Sequence, residues 1–209
     1  MKIQPIVEGH GEVEAVPVLL RRLRDQAQAF SLDVGRPIRR KRWEFVDETA
    51  MKKAVRLAML QPDCAAVLIM FDADDDCPKE LVPTIEAWAK AEAGPMPCAV
   101  VIPNREYEAW FIASIESLRG KSGIRADAES HPSPETPRGA KGQLESRMVA
   151  GLSYAETVDQ APLTAAFDFA LAHSRCRSFR RMAKAFGILA AAAGFPLTDW
   201  PPAAWIRET

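Results

Sequence analysis

The feature that most constrains the fold is an apolar run, AAVLIMF, that begins at residue 65 and leads into the acidic stretch DADDD. A continuous apolar run of this length, bounded by polar residues, is typical of a strand buried on both faces. Strands of that kind occur in parallel sheets that carry helices on both sides. The segment 65–74 therefore predicts the central strand of an α/β domain.

Other strands and helices alternate around this run. Strand-like segments lie at 2–8, 34–46 and 98–103, and Pro5 in the first of them favours a sheet edge or a strand start. Apolar residues at helical spacing predict helices over 12–29, 47–60, 78–93 and 106–118. This alternation predicts a mostly parallel, Rossmann-like sheet with helices on both faces.

The length of 209 residues suits one domain with an appended subdomain. We expect the α/β domain to occupy residues 1–118. Residues 119–142 are rich in Gly, Ser, Pro and charge, which predicts a loop or partly mobile linker. Residues 143–209 predict a C-terminal helical extension, and the two tryptophans of its tail favour packing on the same body.

Composition disfavours several classes of protein. The 27 Lys and Arg residues are balanced by 28 Asp and Glu, which argues against a general polyanion binder. The four cysteines lack zinc-type spacing, so we expect reduced thiols. No apolar segment approaches the roughly 18 residues of a membrane span, and the N-terminus lacks the character of a signal peptide. We therefore expect a cytoplasmic protein with no membrane partner.

Acidic residues follow two of the predicted strands. Glu8 ends the first strand, Glu12 opens the next helix, and Asp72 and Asp74 end the strand at 65–74. Ligands of parallel α/β sheets bind beyond the carboxyl ends of the strands. Asp72 and Asp74 point to one side if the chain there is extended. Converging carboxylates repel one another unless a cation compensates, and oxygen ligands favour magnesium, manganese or calcium over zinc.

Neighbouring residues also have purely structural interpretations. Asp75 and Asp76 could cap the following helix or remain solvated, and Glu14 suits a solvated helix face. Gly9 and Gly11 would allow a tight turn after the first strand. The acids that remain for a cation site are those at the ends of the two strands.

Two motifs together resemble the signature of the Toprim domain. VEGHGEVEAV at 7–16 is followed, after an apolar strand, by FDADDD at 71–76. Toprim domains are shared by primases, topoisomerases, OLD-type nucleases and small RNA-maturation nucleases. The chain is most similar to small stand-alone bacterial Toprim-like proteins related to the OLD branch. Segments NREYEAWFIAS at 104–114 and 154–179 also resemble that group, so the likeness covers most of the chain.

The resemblance implies a role for each matching residue. Glu8 would be the acid/base and metal-binding glutamate, and Asp72 and Asp74 would be ligands of Mg²⁺ (or Mn²⁺). The OLD-type pattern adds an acid matched by Glu12, an acid matched by Glu108 or alternatively Glu106, and a catalytic basic residue matched by Lys141. Five acids favour two ions rather than one.

The function that this resemblance implies is metal-dependent hydrolysis of DNA or RNA phosphodiester bonds. Because OLD proteins fuse an ATPase to their Toprim domain, the chain could act as the nuclease subunit of a separate ATPase in phage defence. The sequence itself has no G-x-x-x-x-G-K-[ST] motif. A non-catalytic regulatory partner of such an ATPase is an alternative, and a D-x-D phosphatase with Asp72 as nucleophile is a third hypothesis.

Two basic segments are candidates for contacting nucleic acid. Arg175, Arg180 and Arg181 could follow a phosphate backbone, or they could form a solvated helix face. The run RPIRRKR at 36–42 allows the same two interpretations. Trp110 and Phe111 lie at core spacing, which favours packing over base stacking.

Overall fold

Five strands form one parallel sheet in the computed structural model, which describes residues 1–206. The strands are β1 (Lys2–Val7), β2 (Asp33–Val34), β3 (Ile38–Arg39), β4 (Cys64–Met70) and β5 (Cys98–Val101). Their order is β2-β1-β4-β5, and β3 also pairs with β1. Each described pairing is parallel. The prediction of an α/β fold with a mostly parallel sheet is therefore confirmed.

The helices cover both faces of this sheet. They are α1 (His10–Gln26), α2 (Arg42–Phe45), α3 (Glu48–Met59), α4 (Pro78–Ala93), α5 (Ala109–Ala113), α6 (Ala140–Glu145), α7 (Glu156–Ala166), α8 (Phe169–Arg175) and α9 (Arg177–Ala192). Leu68 and Met70 of β4 pack into one apolar cluster with α1 and α9, while Val67 and Ile69 pack into a second with α3 and α4. This alternation follows from the two-residue period of a strand.

Pro5 lies in an interior strand, so the expectation of an edge or a strand start was wrong. The carbonyls of Ile3 and Val7 accept hydrogen bonds from Gly35 and Arg40 on the β2–β3 side. Pro5 lies between them on that side, opposite the gap where β2 has ended and β3 has not begun. Because no residue of β2 or β3 pairs with Pro5, its lack of an N–H removes no hydrogen bond from the sheet.

Two other segments differ from their predicted structure. The single strand expected over 34–46 is replaced by β2, β3 and the short helix α2, because each strand pairs over only two residues with β1. The helix expected over 106–118 is α-helical only in α5, and a 3₁₀ turn follows over Ile115–Leu118.

The C-terminal helices share their core with the sheet. Phe179 and Phe186 of α9 belong to the same apolar cluster as Ile3 of β1. Trp200 donates a hydrogen bond of 2.7 Å to the carbonyl of Ala183, and Trp205 is buried. The tail thus packs on the body as expected, while its last residues, 207–209, lie outside the described part of the chain.

The segment 119–142 is tied to the body at several points. Ile124 and Ala128 are buried, and Ile124 forms an antiparallel bridge with Met148. The carboxylate of Glu135 accepts hydrogen bonds from the backbone N–H groups of Arg177 and Ser178 at the start of α9. The segment is therefore an irregular but packed part of the fold rather than a free linker.

Across residues 1–206, no helix combines the length and the apolar character that crossing a membrane would require.

Candidate functional site

Strands β1 and β4 end side by side. Val7 of β1 is in register with Met70 of β4, so the residues that follow them leave the sheet at the same edge. Glu8 and Asp72 therefore emerge close together, although 64 positions separate them in the sequence. The condition on which the predicted site depends, one common edge for both strand ends, is met.

A cavity of about 280 Å³ lies at this edge, and we call it the acidic cavity. Its walls contain every acid of the expected set together with the expected lysine. The lining residues are Glu8, Gly9, Glu12, Asp72, Asp74, Glu108, Lys141, Glu156 and Gln160. Five separate segments of the chain thus bring polar and charged side chains to one place.

Glu12 is fixed by the start of its own helix. Its Oε2 accepts hydrogen bonds from the backbone N–H groups of Glu8 (2.9 Å) and Gly9 (2.8 Å). This bonding satisfies amides that an α-helix leaves unpaired at its N-terminus. The other carboxylate oxygen, Oε1, is buried and has no hydrogen-bond partner among the described residues. One oxygen of Glu12 thus serves the fold, and the second remains available in the cavity.

The two glycines beside Glu12 have different roles from the one expected. Gly9 has φ −75° and ψ 152°, an extended conformation open to any residue. Gly11 is required for space, because a Cβ there would lie 2.4 Å from Oε1 of Gln160 and 2.7 Å from the carbonyl oxygen of Glu156. The close approach of α7 to α1, and hence one wall of the cavity, depends on Gly11.

Asp72 and Asp74 both reach the cavity, but the chain between them is not a continuous strand. β4 ends at Met70, and Asp74 has a left-handed backbone with φ 51°. The Oδ1 of Asp72 accepts a hydrogen bond of 2.9 Å from the backbone N–H of Tyr107. Asp74 is more exposed and lies 3.8 Å from Nε of Arg42. The extended conformation assumed for this pair was therefore wrong, although both side chains line the same cavity.

Glu108, and not Glu106, lines the acidic cavity. Glu108 is fully buried, and its Oε1 accepts a hydrogen bond of 2.8 Å from the hydroxyl of Tyr154. Its Oε2 is buried and has no hydrogen-bond partner within residues 1–206. Glu106 instead accepts a hydrogen bond of 3.0 Å from the backbone N–H of Lys141, in the first turn of α6. Glu106 therefore holds the backbone that presents Lys141.

Lys141 is the cation within this group of acids. Its Nζ forms an ion pair with the carboxylate of Glu156 on α7. Burial alone would lower the pKa of Lys141, but the bond to Glu156 and the charges of Glu108 and Asp72 outweigh it and raise the pKa above its usual value. Lys141 is thus held in its charged form.

Four carboxylates of the cavity have raised pKa values: Glu8, Glu12, Asp72 and Glu108. Burial raises the pKa of Glu12 to about 7, and repulsion from Glu8 and Glu108 adds to it. Burial likewise raises the pKa of Glu108 to about 7. The pKa of Asp72 is raised well above its usual value by burial and by Glu12 and Glu108, and that of Glu8 is raised mainly by burial. A nearby cation would favour the ionised forms.

The donor chemistry of the cavity suits a hard divalent cation, but no coordination shell is preformed. Glu8, Glu12 and Glu108 each have one buried carboxylate oxygen with no hydrogen-bond partner in the described part of the chain, and no His or Cys of that part lines the cavity. Over residues 1–206, no group of three or more His, Cys, Asp or Glu side chains is arranged to hold a metal ion. Binding would therefore require these carboxylates to turn toward one another, which their repulsion opposes until a cation arrives.

Sequence analysis missed Tyr154, Glu156 and Gln160. Glu156 and Gln160 are one helical turn apart on α7, a spacing that places both on the same face. Gln160 is 3% exposed, and its Oε1 has no hydrogen-bond partner within the described chain. Their spacing was visible in the sequence, but the packing of α7 on α1 was not.

The three arginines expected to contact nucleic acid are engaged within the chain. Arg175 binds the carbonyl of Ala113 and the carboxylate of Glu116. Arg180 donates to the carbonyls of His173 and Ser174, and Arg181 pairs with Glu86. The acidic cavity contains none of the three. Since these contacts stabilise the C-terminal helices, we do not include the three arginines in a nucleic-acid interface.

The remaining residues considered in the sequence have structural contacts or are exposed. Asp75 pairs with Arg105 and Arg138, and Asp76 pairs with Arg42, so neither caps α4, whose N-cap is Cys77. Glu14 is exposed on α1, as expected for a solvated face. Trp110 and Phe111 are fully buried in an aromatic cluster, which confirms that they are packing residues. All four cysteines are free, as expected.

The fold and the cavity together define an α/β protein with a cluster of buried carboxylates at the carboxyl edge of a parallel sheet. The chain belongs to the DUF4276 family, a domain of unknown function, which it matches over residues 7–186. No curated protein and no solved structure matches the chain. The matched range contains both strand ends, Lys141 and α7, so every residue lining the acidic cavity lies within the family domain.

Proposed function

We propose that this protein is a metal-dependent nuclease that hydrolyses phosphodiester bonds of DNA or RNA with Mg²⁺ or Mn²⁺ bound in the acidic cavity. One observation carries the proposal: carboxylates from distant segments line a single cavity, and three of them have a buried oxygen that finds no hydrogen-bond partner among the described residues. Buried polar atoms usually have partners, so such a concentration of exceptions indicates a missing ligand. A cation would be that ligand.

The residues proposed to hold the cation are Glu8, Glu12, Asp72, Asp74 and Glu108. They supply only oxygen donors, which suits magnesium or manganese better than zinc. Bound there, the cation would supply Lewis-acid chemistry, neutralising phosphate charge and activating water toward the phosphorus. Five acids leave room for two such ions, as the resemblance to OLD-type Toprim nucleases also implies.

The remaining roles follow from position and protonation. Glu8 lines both the acidic cavity and the larger groove beside it, so it stands where water and substrate would meet. Its raised pKa makes it a better proton acceptor than an ordinary carboxylate. Lys141, held in its charged form, would bind a phosphate oxygen as negative charge builds up on it. The Glu156 partner of Lys141 would then be displaced by the phosphate.

A nuclease assay with matched variants tests this proposal. Purified protein would be incubated with DNA and RNA substrates in Mg²⁺, in Mn²⁺ and in EDTA. We expect cleavage only with metal, and a loss of roughly 10²-fold or more in Asp72→Asn and Glu108→Gln. Asp75→Asn is the control, because Asp75 is an exposed acid of the same loop that does not line the acidic cavity. Cleavage that survives both cavity substitutions would belong to another site or a contaminant.

Titration with Mn²⁺ by calorimetry separates binding from catalysis. The cavity variants should lose affinity and the Asp75→Asn control should retain it. Metal binding without cleavage by the purified chain would direct the search to a separate ATPase partner, as in the phage-defence hypothesis. An ATPase partner whose function is unaffected by Asp72→Asn would instead favour a regulatory subunit and would contradict the nuclease.

A further inference from the structure

A second cavity, of about 620 Å³, adjoins the acidic cavity. The two share the residues Glu8, Gly9, Lys141 and Glu156. A volume of this size lies within the range of ordinary ligand sites, roughly 300–1,000 Å³. A ligand in the larger cavity could therefore extend past Lys141 into the acidic one.

Three cations from one short segment line the larger cavity, and we call it the basic groove after Arg39, Lys41 and Arg42. The segment reaches this place because β3 pairs with the last residues of β1, so that Arg39 lies in register with Val7. The backbone N–H of Arg40 then donates to the carbonyl of Val7. Parallel pairing with β1 thus fixes the basic segment beside Glu8.

These cations have unused binding capacity. Over residues 1–206, neither Arg39 nor Lys41 forms an ion pair, and both are exposed. Arg39 donates one long hydrogen bond, of 3.5 Å, from Nη1 to the carbonyl of Glu8. Arg42 pairs with Asp76, but its Nη1 is buried with no hydrogen-bond partner. The C-terminal arginines differ, since Arg175 and Arg181 are paired with carboxylates. Of the two basic segments noted in the sequence, the one at 36–42 lines the cavity that adjoins the acidic cavity.

We propose that the basic groove binds the backbone phosphates of a polynucleotide strand that flank the phosphate held at the acidic cavity. This inference rests on the proposed nuclease function and adds the path of the substrate. The acidic cavity would repel a polyanion, so neighbouring cations are needed to hold one there. A polynucleotide meets both requirements, because its phosphates repeat along a chain and the groove continues into the cavity.

Binding in EDTA tests the inference without any cleavage. Fluorescence anisotropy would measure the affinity of single- and double-stranded fluorescent oligonucleotides across a range of salt concentrations. We expect Arg39→Ala/Lys41→Ala to bind about tenfold more weakly. The slope of log K against log salt is negative, and its magnitude should decrease by about 1.4 for single strands or 1.8 for double strands, as the loss of two phosphate contacts would give. The control is Arg21→Ala/Lys53→Ala, which removes the same charges from exposed positions on α1 and α3.

Three results would overturn the inference: wild-type affinity in the groove variant, an equal loss in groove and control variants, or displacement of the oligonucleotide by free pyrophosphate at equal phosphate concentration. The last would assign the groove to a small anion. Should the alanine variant fail to fold, as judged by circular dichroism, Arg39→Gln/Lys41→Gln provides the same comparison. Because metal is absent, a failed nuclease assay leaves this measurement unaffected.

A cleavage comparison separates the groove from the acidic cavity. Bis(p-nitrophenyl) phosphate has one phosphate and no flanking ones, so the groove variant should lose less of its hydrolysis than of oligonucleotide cleavage. Cleavage of an oligonucleotide should show a raised KM in the groove variant. Equal losses on both substrates would mean that Arg39 and Lys41 act at the reacting phosphate, contrary to the proposal.

Discussion

The hydroxyl of Tyr154 donates a hydrogen bond of 2.8 Å to Oε1 of Glu108, which joins the segment before α7 to the acidic cavity. This bond orients one oxygen of a fully buried carboxylate and leaves the other without a partner. It also lowers the pKa of Glu108, against the larger effect of burial. Tyr154 is therefore a positioning residue for the proposed cation ligand.

Tyr154→Phe should weaken Mn²⁺ binding several-fold at pH 7, because the pKa of Glu108 would rise further and less of it would be ionised. The free energy of unfolding should fall by about 1–2 kcal/mol, since a buried acceptor loses its donor. Calorimetric titration and urea denaturation measure the two effects. Tyr107→Phe is the control, because it removes a hydroxyl that bonds Thr164. It should lower the free energy of unfolding and leave the Mn²⁺ affinity unchanged. Equal Mn²⁺ affinity in all three proteins would contradict the role of Tyr154.

Stability should depend on pH through Glu12 and Glu108, whose pKa values are raised from 4.5 to about 7. An acid with a higher pKa in the folded state binds more protons when folded than when unfolded. In EDTA, the free energy of unfolding should therefore fall as pH rises from about 4.5 through about 7, by up to about 3 kcal/mol for each of the two groups.

Thermal denaturation in EDTA between pH 5 and 8 measures this dependence. A loss of 1 kcal/mol lowers the Tm of a chain of this size by about 2–4 °C. Glu12→Gln/Glu108→Gln should flatten the curve, because two groups no longer ionise. At pH 8 the carboxylates are already charged, so Mg²⁺ should stabilise the wild type more at pH 8 than at pH 6. A Tm that rises with pH in EDTA would show that the cavity acids are not the dominant titrating groups.

Gly11→Ala should lower the free energy of unfolding by about 1–3 kcal/mol, as overpacking in a close contact does. The added Cβ would lie 2.7 Å from a backbone oxygen of α7, which can yield only if the helix moves. Gly142→Ala is the matched control, because a Cβ at that helical position meets nothing within 4 Å. Urea denaturation should find the control equal to wild type or more stable. A harmless Gly11→Ala would mean that α7 is not tightly held on α1.

Glu135→Ala should cost about 1–2 kcal/mol, the usual effect of removing a helix cap. Its carboxylate accepts from the N–H groups of Arg177 (2.8 Å) and Ser178 (2.9 Å), and no residue adjacent to α9 replaces it as a side-chain cap. Glu129→Ala provides the comparison, since Glu129 is an exposed acid of the same segment. Thermal denaturation that finds the two variants equally stable would remove Glu135 from this role.

Local signals in the sequence were sufficient for several elements. The helix predicted over 78–93 has the observed bounds, because Pro78 suits the first turn and Gly94, with φ 58°, ends it. The apolar run and its acids located both β4 and the edge where the carboxylates gather. These features are determined by residues that are close together along the chain, so they can be predicted from the sequence.

Other features depend on contacts between distant residues. β2 and β3 pair over two residues each, so only their partner β1 determines where they begin and end. Glu156 and Gln160 reach the cavity because Gly11 admits α7, a contact that nothing near either segment predicts. The bonding of Arg175 and Arg181 to Glu116 and Glu86 likewise depends on the packing of α8 and α9. Charge in the sequence did not distinguish arginines that pair with a carboxylate from arginines that do not.

Glu12 has both a structural role at the start of α1 and a proposed role as a ligand of the cation. Two amides hold one oxygen of its carboxylate, so a cation bound at the other oxygen would meet a side chain that needs less ordering than a free one. The same arrangement means that replacing Glu12 loosens the first turn of α1 as well as emptying a coordination position. A Glu12 variant would therefore lose stability and activity together. Comparing it with variants of Asp72 or Glu108 is needed to separate the two effects.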